Sequence, residues 1–148
     1  MDKIDVDILE LLQRNGRISM VELGKEVHMT QPAVKERVRK LEEKGIVTGY
    51  QASVSPHRIG KCTSAFILIQ SYDCHSFIDF CEQSPEVIDL YRISGQFNYL
   101  LKVVTESMET LEEFSDTCNK HGNFTTLMVL SNKIENKALL PKTETLDQ

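Results

Sequence analysis

The chain has no tryptophan, few glycines and prolines, and four cysteines that fall into no CxxC pair. Each shortage excludes something. So little glycine and proline rules out a collagen-like or low-complexity chain. Cys62, Cys74, Cys81 and Cys118 share no ligand spacing with His28, His57, His75 and His121, so no metal is expected and the cysteines read as reduced thiols. No apolar run approaches the roughly 20 residues that span a bilayer, and the acidic, amphipathic N-terminus lacks a signal peptide's basic lead and apolar stretch. A cytoplasmic protein with no membrane partner is expected. Nucleophile elbow, phosphate loop and paired-carboxylate site are also missing, which leaves no catalytic residue and no cofactor to name.

Positive charge is scarce overall, with a formal net charge of −5, but its distribution is uneven. Residues 1–61 carry eleven Lys/Arg against nine Asp/Glu, a net of +2, while residues 62–148 carry six against thirteen, a net of −7. The acidic half repels phosphates. Any nucleic-acid contact must come from a local basic face in the first half, doubled by dimerisation.

Such a face is present between Ser19 and Gly45, in SMVELGKEVHMTQPAVKERVRKLEEKG. Ser19 with Glu22 three residues later forms a capping box that starts a helix ending near Val27. After a short turn Thr30 caps a second helix, Pro32 fits its first turn, and Gly45 provides the exit. At 100° per residue Val34, Val38 and Leu41 share one stripe, whereas Pro32, Lys35, Glu36, Arg39, Lys40 and Glu43 lie opposite. Before this pair Ile4, Ile8, Leu11 and Leu12 recur at helical spacing from Asp2 to Gln13, and Asn15-Gly16 stops the helix. After it Ile46, Val47, Thr48 and Tyr50 read as a strand or wing. Three helices and a wing make a winged helix-turn-helix, whose second motif helix enters the major groove of double-stranded DNA.

The candidate DNA-binding residues are therefore Thr30, Gln31, Pro32, Lys35, Glu36, Arg39 and Lys40. Lys35 and Arg39 suit base edges or phosphates. Lys40 and Lys44 suit phosphates or plain solvation. Arg37 lies beside the apolar stripe, where an ion pair with the first helix competes with DNA contact.

Residues 52–61 break helical patterning and read as a linker between a DNA-binding domain at 1–51 and a second domain at 62–141, with 142–148 a tail. In the second domain Ala65 to Ile69 is a short strand-forming run. A helix over about Cys74–Gln83 places Phe77, Ile78 and Cys81 on one stripe and stops at Ser84-Pro85. Val87–Ser94 and Phe97–Thr105 form a hairpin about Gly95-Gln96. Ser107 caps a helix with Met108, Leu111, Phe114, Ser115 and Cys118 inward, Gly122 closes it, and Thr125–Ser131 is the last strand. The order is βαββαβ, the ferredoxin-like split βαβ arrangement, so the fold class is α+β. Four strands with helices on one face leave the other face for a second subunit. RNA-recognition modules share this topology, but Asn98 to Val104 offers one Tyr and an aliphatic run in an acidic domain, not the stacking aromatics such modules need.

The pattern Asp2-x-x-Asp5-x-x-Ile8-Leu9, Arg17-Ile18-Ser19, Glu22-Leu23 and Arg37-Val38-Arg39-x-Leu41-Glu42-x-x-Gly45-Ile46-Val47 resembles the signature of the Lrp/AsnC, or feast/famine, transcription regulators. The resemblance covers nearly all of the chain. It implies a DNA-binding regulator whose ferredoxin-like (RAM) half pairs into homodimers and often octamers and binds an amino acid between subunits. An architectural, low-specificity protein that bends or wraps DNA without an effector is the alternative. An enzyme that takes an amino acid as substrate is a weaker one.

Candidate effector residues are Ser94, Gly95, Gln96 and Asn98, with Thr126 as a hydroxyl donor. Gly95 serves either as a bare turn residue or as a gap that lets backbone N–H groups approach a carboxylate. Asn98 stands where amino-acid-responsive members commonly have Asp, and a carboxylate pairs better with an α-ammonium group than an amide does.

Overall fold

A computed structural model describes residues 1–142. They pack as two compact units, one formed by Met1–Ser53 with the chain from Ile134 onward, the other by Val54–Lys133. The C-terminal segment thus belongs with the first unit, whereas the sequence assigned everything from 62 to 141 to the second domain. The cause is a pair of hydrogen bonds. The Gln13 side chain donates to the Leu139 carbonyl (3.0 Å) and accepts from the Leu139 N–H (2.8 Å).

The first unit contains three helices, α1 (Lys3–Arg14), α2 (Met20–Glu26) and α3 (Gln31–Glu43). Two of them open on capping boxes, Asp2 with Asp5 on α1 and Ser19 with Glu22 on α2, so orphan N–H groups are satisfied at the points where the chain must turn. Thr30 takes the N-cap backbone conformation of α3, but its hydroxyl makes no capping bond; Pro32 and helix packing define this start instead. Ile8, Leu23 and Val34 are fully buried, with Leu9, Leu12, Val27, Val38 and Leu41 around them. Truncating one of the fully buried members to Ala would cost about 2–5 kcal/mol. Gly24 makes the tight α2–α3 turn possible, because a Cβ there would stand 2.7 Å from the Met29 carbonyl oxygen.

The wing differs from expectation. Residues 46–53 form no strand, since no neighbouring segment pairs with them, and Ile46 and Tyr50 remain exposed. The linker contains a single short 3₁₀ turn at His57–Ile59.

The second unit is a four-stranded antiparallel sheet in the order β2-β3-β1-β4, from β1 (Thr63–Ser71), β2 (Val87–Arg92), β3 (Tyr99–Thr105) and β4 (Gly122–Met128). Helices α4 (Cys74–Gln83) and α5 (Met108–Cys118) cover one face. Alternation places Ala65, Ile67 and Ile69 of β1 and Leu101 and Val103 of β3 against Phe77, Cys81, Leu111, Phe114 and Cys118 of the helices. Register pairs Phe66 with Lys102 and Leu127, and Leu68 with Leu100 and Thr125, on the opposite, helix-free face.

Around α5 and β4 one facing residue and both ends of the strand were misread. Met108 is exposed at the first turn of α5 rather than inward. Gly122 does not close α5 but begins β4, three residues earlier than expected, and its bare backbone lies so close to Gln70 that a Cβ would overlap the carbonyl. β4 ends at Met128 rather than Ser131 because Met128 pairs with Ala65, near the start of β1.

Candidate nucleic-acid interface

The exposed surface of α3 carries Gln31, Pro32, Lys35, Glu36, Arg39, Lys40 and Glu43, while Val34, Val38 and Leu41 are buried on its inner stripe. Thr30 precedes them, exposed at the N-cap. The structure therefore gathers all seven sequence-predicted DNA residues at the start and along the outer side of one helix.

Charge on that face is not freely available. Arg39 donates from Nε and Nη2 to the two carboxylate oxygens of Glu36 (2.8 and 2.7 Å), and from Nη1 to Glu43. Lys40 also lies 3.8 Å from Glu36. The Arg39 hydrogen bond, helped by the nearby charges of Arg39 and Lys40, holds the Glu36 carboxyl below its ordinary range. Glu36 in turn pushes the Arg39 guanidinium further up. Among the described residues Lys35 and Lys44 make no ion pair. Arg37 is spent elsewhere. Its guanidinium pairs with Asp2 and Asp5 at the start of α1.

Within the second unit, the β2–β3 connection runs from Ile93 to Asn98, closed by the Ile93 N–H donating to the Asn98 carbonyl. It is a six-residue connection rather than a tight two-residue hairpin. Ser94, Gly95 and Gln96 are exposed, and Gly95 has φ +113°, a left-handed value. Asn98 is engaged internally: its Oδ1 accepts from the Ser71 N–H (2.8 Å) and its Nδ2 donates to the Ser71 carbonyl (3.5 Å). That two-way pairing accounts for an amide here, because a carboxylate could satisfy only the N–H. Thr126 is not brought to this turn. It lies on β4, the opposite edge strand from β2, half-buried with its hydroxyl 3.5 Å from that of Ser115.

Residues 1–48 match the winged helix-turn-helix DNA-binding family, and residues 64–139 match the Lrp/AsnC ligand binding domain. The chain belongs to the Lrp/AsnC family of transcription regulators. Among Lrp/AsnC relatives it is similar to the HTH-type transcriptional regulator YezC of Bacillus subtilis, at 50% identity over 88% of this chain and 94% of that protein. It is also similar to the solved LrpC of B. subtilis, at TM-score 0.86 and 32% identity over 93% of this chain and 99% of the other. A Neisseria meningitidis transcriptional regulator in complex with L-Met superimposes at TM-score 0.88 and 28% identity, covering 94% of this chain and 96% of that one.

Two features of this Lrp/AsnC chain escaped the sequence. The Glu36–Arg39–Glu43 cluster was visible as spacing, since three and four residues bring side chains together on a helix, but charge counting treated each residue separately. The Gln13 anchor for Leu139 leaves no trace in periodicity, because its partners are 126 residues apart.

Proposed function

We propose that this regulator seats α3 in the major groove of double-stranded DNA, with Lys35 and Arg39 at phosphates or base edges, Lys40 at a phosphate, and Thr30, Gln31, Pro32 and Glu36 at the leading end of the contact. The carrying observation is the split surface of α3, apolar on one side and a row of exposed polar and charged residues on the other, in a chain whose remainder is acidic. Its place of action is the cytoplasm. A single helix offers few phosphate contacts, so useful affinity requires two copies.

The second copy comes through the sheet. Phe66, Leu68, Leu100 and Leu127 lie on the helix-free face with Tyr91, which pairs with Leu100. Pairing these faces gives a homodimer, and dimers assemble further, to an octamer. Light scattering on Leu68→Lys tests this: dissociation to a smaller species supports the shared face, and an unchanged mass rejects it.

An amino acid is the effector, bound between subunits about Ser94, Gly95 and Gln96. The reading is supported by the L-Met complex of the similar N. meningitidis regulator and by the left-handed, exposed Gly95. Asn98 contributes by fixing the turn to β1, and Thr126 takes part only from a different copy. Calorimetry against L-Met and then the other common amino acids is the test. Binding accompanied by a change in assembly or DNA affinity supports the reading, while no heat at millimolar ligand rejects it.

A further inference from the structure

The exposed face of α3 places its only outward arginine between two glutamates. All three nitrogens of the Arg39 guanidinium carry a carboxylate partner, Nε and Nη2 on Glu36 and Nη1 on Glu43. The arginine is about half exposed, as are both glutamates, so the cluster lies on the surface a duplex would cover. To touch DNA, Arg39 must release at least one carboxylate, and both carboxylates then approach the phosphates as like charges.

The cost of that exchange differs between sequences. A phosphate met at random offers a point charge in water, screened by salt and no better than the carboxylates already in place. A guanine edge presents O6 and N7 in the fork spacing that a guanidinium matches bidentately, inside a groove that excludes much of the solvent. Only the second contact recovers what is given up. Lys35, with no ion pair among the described residues, pays no such toll and contributes equally to every sequence.

We infer that Glu36 and Glu43 set specificity by withholding Arg39 from random DNA, Glu36 acting on the arginine as a positioning residue rather than on a base. This rests on the reading that α3 faces DNA. The repulsive element discriminates by weakening the wrong partner rather than by strengthening the right one.

The test uses the full chain with two probes, a duplex of random sequence and a preferred duplex selected by the wild-type protein from a randomised pool. Binding is measured by fluorescence anisotropy across a salt series for Glu36→Gln with Glu43→Gln, for Arg39→Ala, and for the triple variant. The glutamine pair is expected to bind random duplex about fivefold more tightly. Its plot of log K against log salt should steepen by about one unit, as one more phosphate is engaged. The preference ratio should fall, and Arg39→Ala should erase the gain. Unchanged random binding in the glutamine pair, with Arg39→Ala still weakening the preferred duplex, overturns this inference and leaves the α3 interface standing. A loss confined to the preferred duplex overturns it too, making Glu36 a direct base contact. If Arg39→Ala and Lys35→Ala change neither duplex, α3 itself is not the interface and the inference falls with it.

Discussion

Arg37 of α3 reaches the first turn of α1, where its guanidinium lies 2.7 Å from the Asp5 carboxylate and 2.8 Å from that of Asp2. Asp2 also caps α1 by accepting from the Asp5 N–H, so one cation holds together a helix start and the helix that would face DNA. The sequence left Arg37 open between ion pair and DNA contact; the structure pairs it. The Asp5 N–H bond first and Arg37 second hold Asp2 below its ordinary pKa of 3.8. A depressed carboxylate contributes stability that is complete above the unfolded value and disappears as pH falls through the lowered one. Arg37→Ala should lower Tm by about 2–4 °C at neutral pH, and by less below pH 4, while leaving the salt slope of DNA binding unchanged. A flattened slope with an unaltered Tm would place Arg37 on DNA after all.

The cysteines divide by burial. Cys62 and Cys74 are exposed, whereas Cys81 and Cys118 lie in the core of the second unit. Burial pushes Cys81 up to about 12 and Cys118 up to about 11, from an ordinary 9.0. Because the unfolded thiols release protons first, this contribution to stability is complete below pH 9 and is lost between about pH 9 and 12. Thiol titration of the native protein at pH 8 should consume two equivalents quickly, with the other two reacting only in denaturant. Four fast equivalents would show that the α4–α5 layer opens readily.

Gln13 makes the link that returns the chain after Lys133 to the DNA-binding unit. Its amide also donates to the Leu9 carbonyl, which fixes the side chain on α1 before Leu139 arrives. Gln13→Ala should release the segment, and hydrogen exchange at the Leu139 amide should accelerate at least tenfold while exchange within α1 stays slow. Equal protection in the variant would mean that Leu140 and Pro141, which share an apolar groove of about 580 Å³ with Leu9, Leu12 and Ile46, hold the segment unaided.

Where local chemistry decides, the sequence was legible. The Ser19–Glu22 box, the Val34–Val38–Leu41 stripe and the alternation through Ala65, Ile67 and Ile69 each fix an element by spacing alone, and the structure reproduces all three. Where a distant partner decides, it was not. Residues 46–50 have strand-forming side chains but nothing to pair with. Gly122 has the composition of a helix stop, yet its place is set by how closely Gln70 passes. Asn98 read as a ligand group because only its chemistry was visible; Ser71, its main-chain partner, comes from the neighbouring strand. For the outward face of α3 the sequence supplied the exposed residues but not their mutual pairing.

The central claim is that the outward side of α3 meets phosphates, and the salt dependence of DNA binding tests it most directly. In full-length protein, Lys35→Ala with Arg39→Ala should retain the wild-type assembly by light scattering, because both side chains are exposed on α3 and neither belongs to the sheet through which copies are proposed to pair. Loss of the Lys35 phosphate contact should flatten the slope of log K against log salt by about one unit on every duplex, and loss of Arg39 should weaken the preferred duplex further. A folded, assembled double variant with the wild-type slope and affinity would contradict the claim and move the DNA interface off this helix.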